Sequence, residues 1–257
     1  MPDEQPTFTL AYVPGVTPDK WVRRWRERFP SVPLDLVHTP AADAATLVRD
    51  RDVDAVLLRL PVDRTGLHAI PLYTETTVVV VPKDHLVTAA DEVSLDDLAD
   101  EIVLHPLDDT LDWEGPPGRP AIERPATTAD AVTLVAAGVG VLVVPQSLAR
   151  LHHRKDLTYR PVTDAPQSRV ALVWPEEETT DLMEQFIGIV RGRTVNSTRG
   201  RRPAPATRSR AEERGKKAGG GKGTGKESRT TGRRAVRRTR HPNVGRGGRR
   251  RKPRRRS

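Results

Sequence analysis

Segment after segment of this sequence ends on a hydroxyl or a cation. Thr17 follows the apolar run from Phe8 to Val13, and Thr39 follows the run from Val32 to Val37. Arg59 and Leu60 end the run that starts at Val53. His105 follows Glu101 to Leu104, and Thr127 and Thr128 open a helical pattern. In open α/β sheets, ligands gather at the carboxyl ends of strands and at helix starts. Helix-start amides, hydroxyls and one guanidinium suit a carboxylate or another small anion. Val16, Thr17, Thr39, Arg59, His105, Thr127 and Thr128 are therefore the candidate ligand-binding residues. Each has a structural alternative. Thr17 and Thr127 would serve equally as plain helix caps, Arg59 as the partner of an acidic neighbour, and His105 as a loop residue before Pro106.

Other chemistry finds little support. There is no cysteine, hence no disulfide, thiol nucleophile or cysteine-bound metal. No GxSxG surrounds Ser147 and no HExxH occurs. His152 and His153 are adjacent, so they diverge on a helix and do not readily chelate one metal. Asp108, Asp109, Asp112 and Glu114 read as a solvated turn. Gly220 to Lys226 approaches the phosphate-cradling GxxxxGK[ST], but Glu227 stands where Ser or Thr is required. No strand precedes it to aim its amides. The expectation is no catalytic residue, no metal and no cofactor.

Charge divides the 257 residues in two. Residues 199–257 hold 24 Lys/Arg against 3 Glu, a local +21, while residues 1–198 hold 19 against 31, a local −12. All ten aromatic residues precede position 199. From Arg199 on there is no Leu, Ile, Met, Phe, Trp or Tyr, so the segment cannot bury enough apolar surface to offset its ordering entropy. It reads as a disordered tail. Arg249, Arg250, Arg251, Lys252, Arg254, Arg255 and Arg256 would neutralise phosphates of a nucleic acid without reading its sequence. The chain has no secretory pattern at its start and no apolar run of membrane-spanning length. A cytoplasmic protein without membrane contact is expected, with nucleoid association as the further expectation the tail raises.

Regular elements must position the candidates. Phe8 to Val13 reads as a strand ended by Pro14-Gly15. Thr17-Pro18-Asp19 reads as a helix start with Thr17 as cap, and Trp21, Val22, Trp25 and Phe29 form its buried stripe. A strand over 32–37, a helix over 41–51 and a continuously apolar strand over 53–60 follow. This βαβαβ order argues for a doubly wound α/β sheet. Beyond it come a β-branched run from Thr76 to Val81, a short capped helix at Ser94–Leu98 and a strand at 101–104. Residues 105–120 read as a loop. Then come a helix from Thr127/Thr128, a strand at 141–144, a turn-and-helix segment from Pro145, a strand at 169–174 and a last amphipathic helix over 179–191.

The order of these pieces resembles the effector-binding domain of LysR-type transcriptional regulators. The resemblance covers about residues 7–192. Its most specific piece is Leu134 to Pro145, LVAAGVGVLVVP, supported by LVRDRDVDAVLLRLP, TETTVVVVPKDH and SLDDLADEIVLHP. It implies an α/β fold of the type II periplasmic-binding-protein kind, with two α/β subdomains joined by two crossover strands and a small-molecule effector between them. Subdomain one would be about 7–81 plus 162–192 and subdomain two about 83–160, within a substrate-binding domain over 1–198. Residues 76–83 and about 157–163 would be the crossovers. The family's effector contacts resemble the positions of Thr17, Thr39 and Arg59. Family members carry a winged helix-turn-helix ahead of this domain, and only seven residues precede the first strand here. The expected function is an effector-binding regulatory protein without that head, its basic tail making non-specific nucleic-acid contact. A homodimer or a separate DNA-binding partner would complete it. A solute-binding protein of the same fold, or less readily an enzyme acting on a small acid, is the alternative. Gentle trypsin treatment should strip most of 199–257 and leave a cooperatively melting fragment near 1–198; loss of that melt on trimming would refute the division.

Overall fold

The computed structural model describes residues 6–177 and 179–193. The seven basic tail positions singled out above, Arg249 to Lys252 and Arg254 to Arg256, lie outside the described residues.

Two five-stranded sheets carry the described chain. The first begins with β1 (Phe8–Tyr12), α1 (Asp19–Arg28), β2 (Leu34–His38), α2 (Ala44–Arg49) and β3 (Ala55–Leu60), and β4 (Leu67–Glu75) lies at its far edge. The chain then enters the second sheet through β5 (Thr77–Pro82). There follow β6 (Ile102–Leu104), β7 (Arg119–Pro120), α3 (Thr128–Ala136), β8 (Val141–Pro145), α4 (Gln146–Leu151) and β9 (Leu157–Pro161). It returns to the first sheet as β10 (Ser168–Pro175) and ends on α5 (Asp181–Val190). The strand orders are β2-β1-β3-β10-β4 and β7-β6-β8-β5-β9. In each sheet three parallel strands are completed by an antiparallel strand, β10 beside β3 and β5 beside β8.

Local chemistry explains the pieces. Asp54 precedes β3; its carboxylate accepts from the Thr9 amide at 2.7 Å, and its own amide donates to the Thr9 carbonyl at 3.0 Å. That pair fixes the register of β3 against β1. Ala55 to Arg59 are all buried, as a central strand covered on both faces requires. Trp25 of α1 and Phe186 of α5 close over Phe8 of β1, with ring centroids 4.9 to 5.9 Å apart. In the second sheet alternation does the sorting. Val78 and Val80 face a core built with α3 and α4, while Val79 and Val81 face another built with Val87, Leu98 and Leu111.

The LVAAGVGVLVVP segment owes its two glycines to different needs. Gly138 takes φ +74°, the left-handed turn that ends α3. A Cβ on Gly140 would lie 2.3 Å from the Ile102 carbonyl oxygen, so only glycine lets β8 run this close to β6. Boundaries elsewhere shift by a few residues. The helix expected over 41–51 is confined to Ala44–Arg49, and Arg119–Pro120, expected as loop, adds a short edge strand beside β6.

Candidate functional site

Arg59, near the end of β3, is the centre from which the site is built. Its side chain is 3% exposed and faces Glu75 at the end of β4, itself 8% exposed, with Nε to Oε2 at 3.1 Å. Nη1 donates to the Pro14 carbonyl at 2.8 Å, and Nη2 donates to Ser147 Oγ of α4 at 3.0 Å. One guanidinium thus joins the β1 loop and β4 of the first sheet's half to the first turn of α4 in the second. Gly15 makes this approach feasible. At φ +80° a Cβ there would lie 2.7 Å from Ser147 Oγ and 2.9 Å from Arg59 Nη2.

This clasp divides the space between the two halves into two lobes. One has a volume of about 640 Å³ and is bounded by Tyr12, Val16, Thr17, Lys20, Trp21, Tyr73 and Glu75 from one side, and by Ser147, Arg150 and Leu151 from the other. The second has a volume of about 940 Å³. Leu58, Leu60, Pro61 and Val62 form its apolar wall on one side, faced by Leu107, Leu111, Leu148 and Leu151, with Arg59, Asp108, Thr127 and Thr128 among its polar groups. His38 borders both. Burial pushes the Tyr73 hydroxyl up to about 12, with the neighbouring Glu75 charge acting in the same direction. Tyr73 is therefore a protonated donor at neutral pH.

The sequence-derived candidates are distributed unevenly. Val16 and Thr17 border the smaller lobe, and Arg59, Thr127 and Thr128 border the larger. Thr39 is buried at 3%, its amide bonded to the Tyr12 carbonyl, between the lining residues His38 and Pro40. His105 lies outside both linings, 3.3 Å from Asp109 through Nε2. Thr127 caps α3 as expected, its Oγ1 accepting from the Asp130 amide. Thr17 caps nothing. Pro18 is the N-cap of α1, because its carbonyl already accepts from Trp21 and Val22, and the exposed Thr17 hydroxyl is left facing the lobe.

In the acidic loop Asp108, Asp112 and Glu114 are exposed, as read from sequence, and Asp109 is the exception. Asp109 is 8% exposed at its side chain; Oδ2 accepts from Trp113 Nε1 at 2.7 Å and Oδ1 from the Leu111 amide at 3.0 Å. Asp108 accepts from Thr128 Oγ1 at 2.8 Å. That carboxylate sits where the α3 start would otherwise meet a ligand anion. Among the described residues no group of three or more His, Asp and Glu is arranged to hold a metal.

Sequence reasoning missed Glu75, Ser147, Lys20, Tyr73 and Arg150. Applying the carboxyl-end rule to β8 as well would have reached Ser147. The other four carry no local signal, because tertiary packing alone brings them to the lobe.

The profile of the LysR substrate binding domain matches residues 3–194. The chain belongs to that family. Among curated relatives, the HTH-type transcriptional regulator AlsR of Bacillus subtilis (strain 168) is 27% identical over 179 residues, 65% of this chain and 59% of that protein. A probable hydrogen peroxide-inducible genes activator of Mycobacterium leprae (strain TN) is 34% identical over 131 residues, 48% of this chain and 42% of that protein. The chain spans about half the length of these relatives. The BenM effector binding domain, solved with its effector benzoate, superposes with TM-score 0.62 at 19% identity, covering 73% of this chain and 91% of that one. A peroxide-bound mutant of Corynebacterium glutamicum OxyR gives TM-score 0.59 at 26% identity, covering 72% of this chain and 67% of that one. The fold of this LysR substrate-binding domain is type II periplasmic-binding-protein-like, as the order of elements implied.

A buried ion pair broken on one side leaves an uncompensated charge, whereas replacing both partners by apolar groups can be neutral. Arg59→Met should cost about 3–5 kcal/mol in a urea melt, and Arg59→Met with Glu75→Leu should recover most of that loss. Additive single and double costs would show that the two side chains are not coupled.

Proposed function

We propose that this chain is the effector-sensing part of a LysR-type regulator. A small organic molecule settles between the two halves and biases how they are held together. The single observation that carries the reading is that both lobes are lined from both halves of the fold, on either side of one clasp that ties the halves. A molecule filling either lobe touches both halves at once, so its binding energy depends on their relative placement. Binding without catalysis is the role this geometry supports: among the described residues Ser147, the serine lining the lobes, is hydrogen-bonded to Arg59 and to no histidine or carboxylate. The effector is a small anion, as the residue types suggested. BenM was solved with benzoate, and the lobe next to Thr17 carries Lys20 and Arg150 against one acid, Glu75, that Arg59 already balances. Two relatives' names refer to hydrogen peroxide, but these 257 residues contain no cysteine, so a thiol-based peroxide response is not available within them.

The basic segment 199–257 supplies non-specific contact with nucleic acid; the supporting observation is its net +21 beside a body of −12. Any sequence reading and any further subunit contacts belong to partners or other segments of the regulator.

A melting screen of the full chain against small organic compounds should yield a ligand that raises Tm progressively with its concentration, adding about 2.7 kcal/mol of stability at a hundred times its Kd. Ala41→Trp, which intrudes into the larger lobe from an exposed lining position, or Thr17→Trp in the smaller, should abolish that shift. Hits indifferent to both substitutions would place binding elsewhere and end the reading. In gel shifts the full chain should retain operator-like and scrambled duplexes alike, with a steep loss as salt rises. A chain stopped at residue 198 should retain neither, and DNA retention by that shorter chain would overturn the role of the tail.

A further inference from the structure

We infer that the anion-reading residues of the smaller lobe are Lys20 of α1 and Arg150 of α4, one from each half of the fold, and that they take the carboxylate of a small planar acid between them. The inference rests on the effector reading above and narrows it to a ligand class and a pair of residues.

The first support is the state of the cations. Arg59, the obvious anion binder by sequence, already has a partner on each of its three nitrogens, in Glu75, Pro14 and Ser147. Its charge is matched by a buried carboxylate. Lys20 and Arg150 are different. Both border the smaller lobe, both are exposed, and among the described residues neither has a carboxylate within ion-pair distance. Lys20 Nζ sits 4.3 Å from the Trp21 ring centroid and 6.0 Å from that of Tyr73, which places an ammonium among π faces at the lobe. Arg150 has a long contact, Nε to Tyr159 Oη at 3.4 Å. Two unmatched cations therefore border one cavity, on a body whose net charge is −12. Like charges around one cavity repel, and an anion between them removes that cost.

The remaining polar groups fit the same ligand. Ser147 Oγ accepts from Arg59, and its own proton has no acceptor among the described residues. Tyr73 keeps its proton. Thr17 adds a hydroxyl at the start of α1, where no side chain caps the helix. The one acid of the lobe, Glu75, is already balanced by Arg59. Donors thus outnumber acceptors, which a carboxylate satisfies and a cation does not. The rings of Tyr12, Trp21 and Tyr73 offer flat apolar walls for a planar body.

The test pairs a charged probe with its neutral isostere, 2-naphthoate and 2-naphthamide, titrated at millimolar concentration into the full chain. Calorimetry reports the affinities, since naphthyl probes absorb and emit where the chain's four tryptophans do. The acid should bind roughly tenfold or more tightly than the amide, the margin of a hydrogen bond to a charged group. Lys20→Met and Arg150→Met should each remove most of that preference without moving Tm, and Lys20→Arg should keep it. If acid and amide bind alike, or the variants weaken both equally, the anion-reading pair is overturned while the effector reading stands. If neither probe binds, the planar-acid assignment falls, and the effector reading is then judged by the compound screen alone.

Discussion

The buried guanidinium of Arg59 is the interaction on which the arrangement of this molecule turns. A charge that is 3% exposed is tolerable because Glu75 balances it and two further acceptors each take an N–H of its terminal nitrogens. Those partners come from three places in the chain, the loop after β1, the end of β4 and the first turn of α4, and Arg59 itself stands near the end of β3. Satisfying one side chain therefore sets the mutual placement of elements from both sheets. The requirement reaches back to the backbone, since any residue but glycine at position 15 would push a Cβ into Arg59 and Ser147. It also explains the division of the cavity, because the clasp occupies the middle and leaves a lobe on either side.

Such a clasp changes what a strand-end arginine means. The residue type and its position at the end of a central strand are those expected of a ligand binder, and Arg59 does border the larger lobe. Yet its charge is already spent within the fold. The α3 start shows the same economy: Asp108 accepts from Thr128, and Asp130 is bonded to Thr127. Both features that looked open to an anion from sequence are met by the chain's own carboxylates. Charge that remains available lies on Lys20 and Arg150, at positions that no strand-end rule selects.

This pattern shows how far the sequence could be read. Elements were legible wherever a local period or cap defined them. The stripe of Trp21, Val22 and Trp25, the buried run of β3 and the Thr127 cap all follow from neighbours within a few residues. The order of those elements carried the fold. Thr17 shows the limit at short range, where the Pro18 carbonyl took over the first turn and left the threonine uncapping. At long range, Glu75 meets Arg59 across 16 residues and Ser147 meets it across 88, through pairings that only the sheet topology decides. Within the acidic loop Asp109 alone was misread, for a related reason. Asp109 is drawn inward by the Trp113 indole, a partner that composition does not announce.

The clasp and the proposed anion pair share their elements, and this gives the site its direction of action. Ser147 and Arg150 stand one turn apart at one helix, α4, while Arg59 and Lys20 belong to the opposite half. A ligand held between Lys20 and Arg150 adds a second tie across the boundary that Arg59 and Ser147 already span. A ligand shifts such an equilibrium only by the difference in its affinity for the two placements. An anion gripped from both halves has that difference built in, because opening the halves forfeits one of its two cations. A molecule held by the apolar wall of one half alone would bind without moving anything. Whatever the regulator does with the signal, its strength is bounded by how unequally the ligand is held in the two placements, which follows from the residues that grip it from each half rather than from the volume of the cavity.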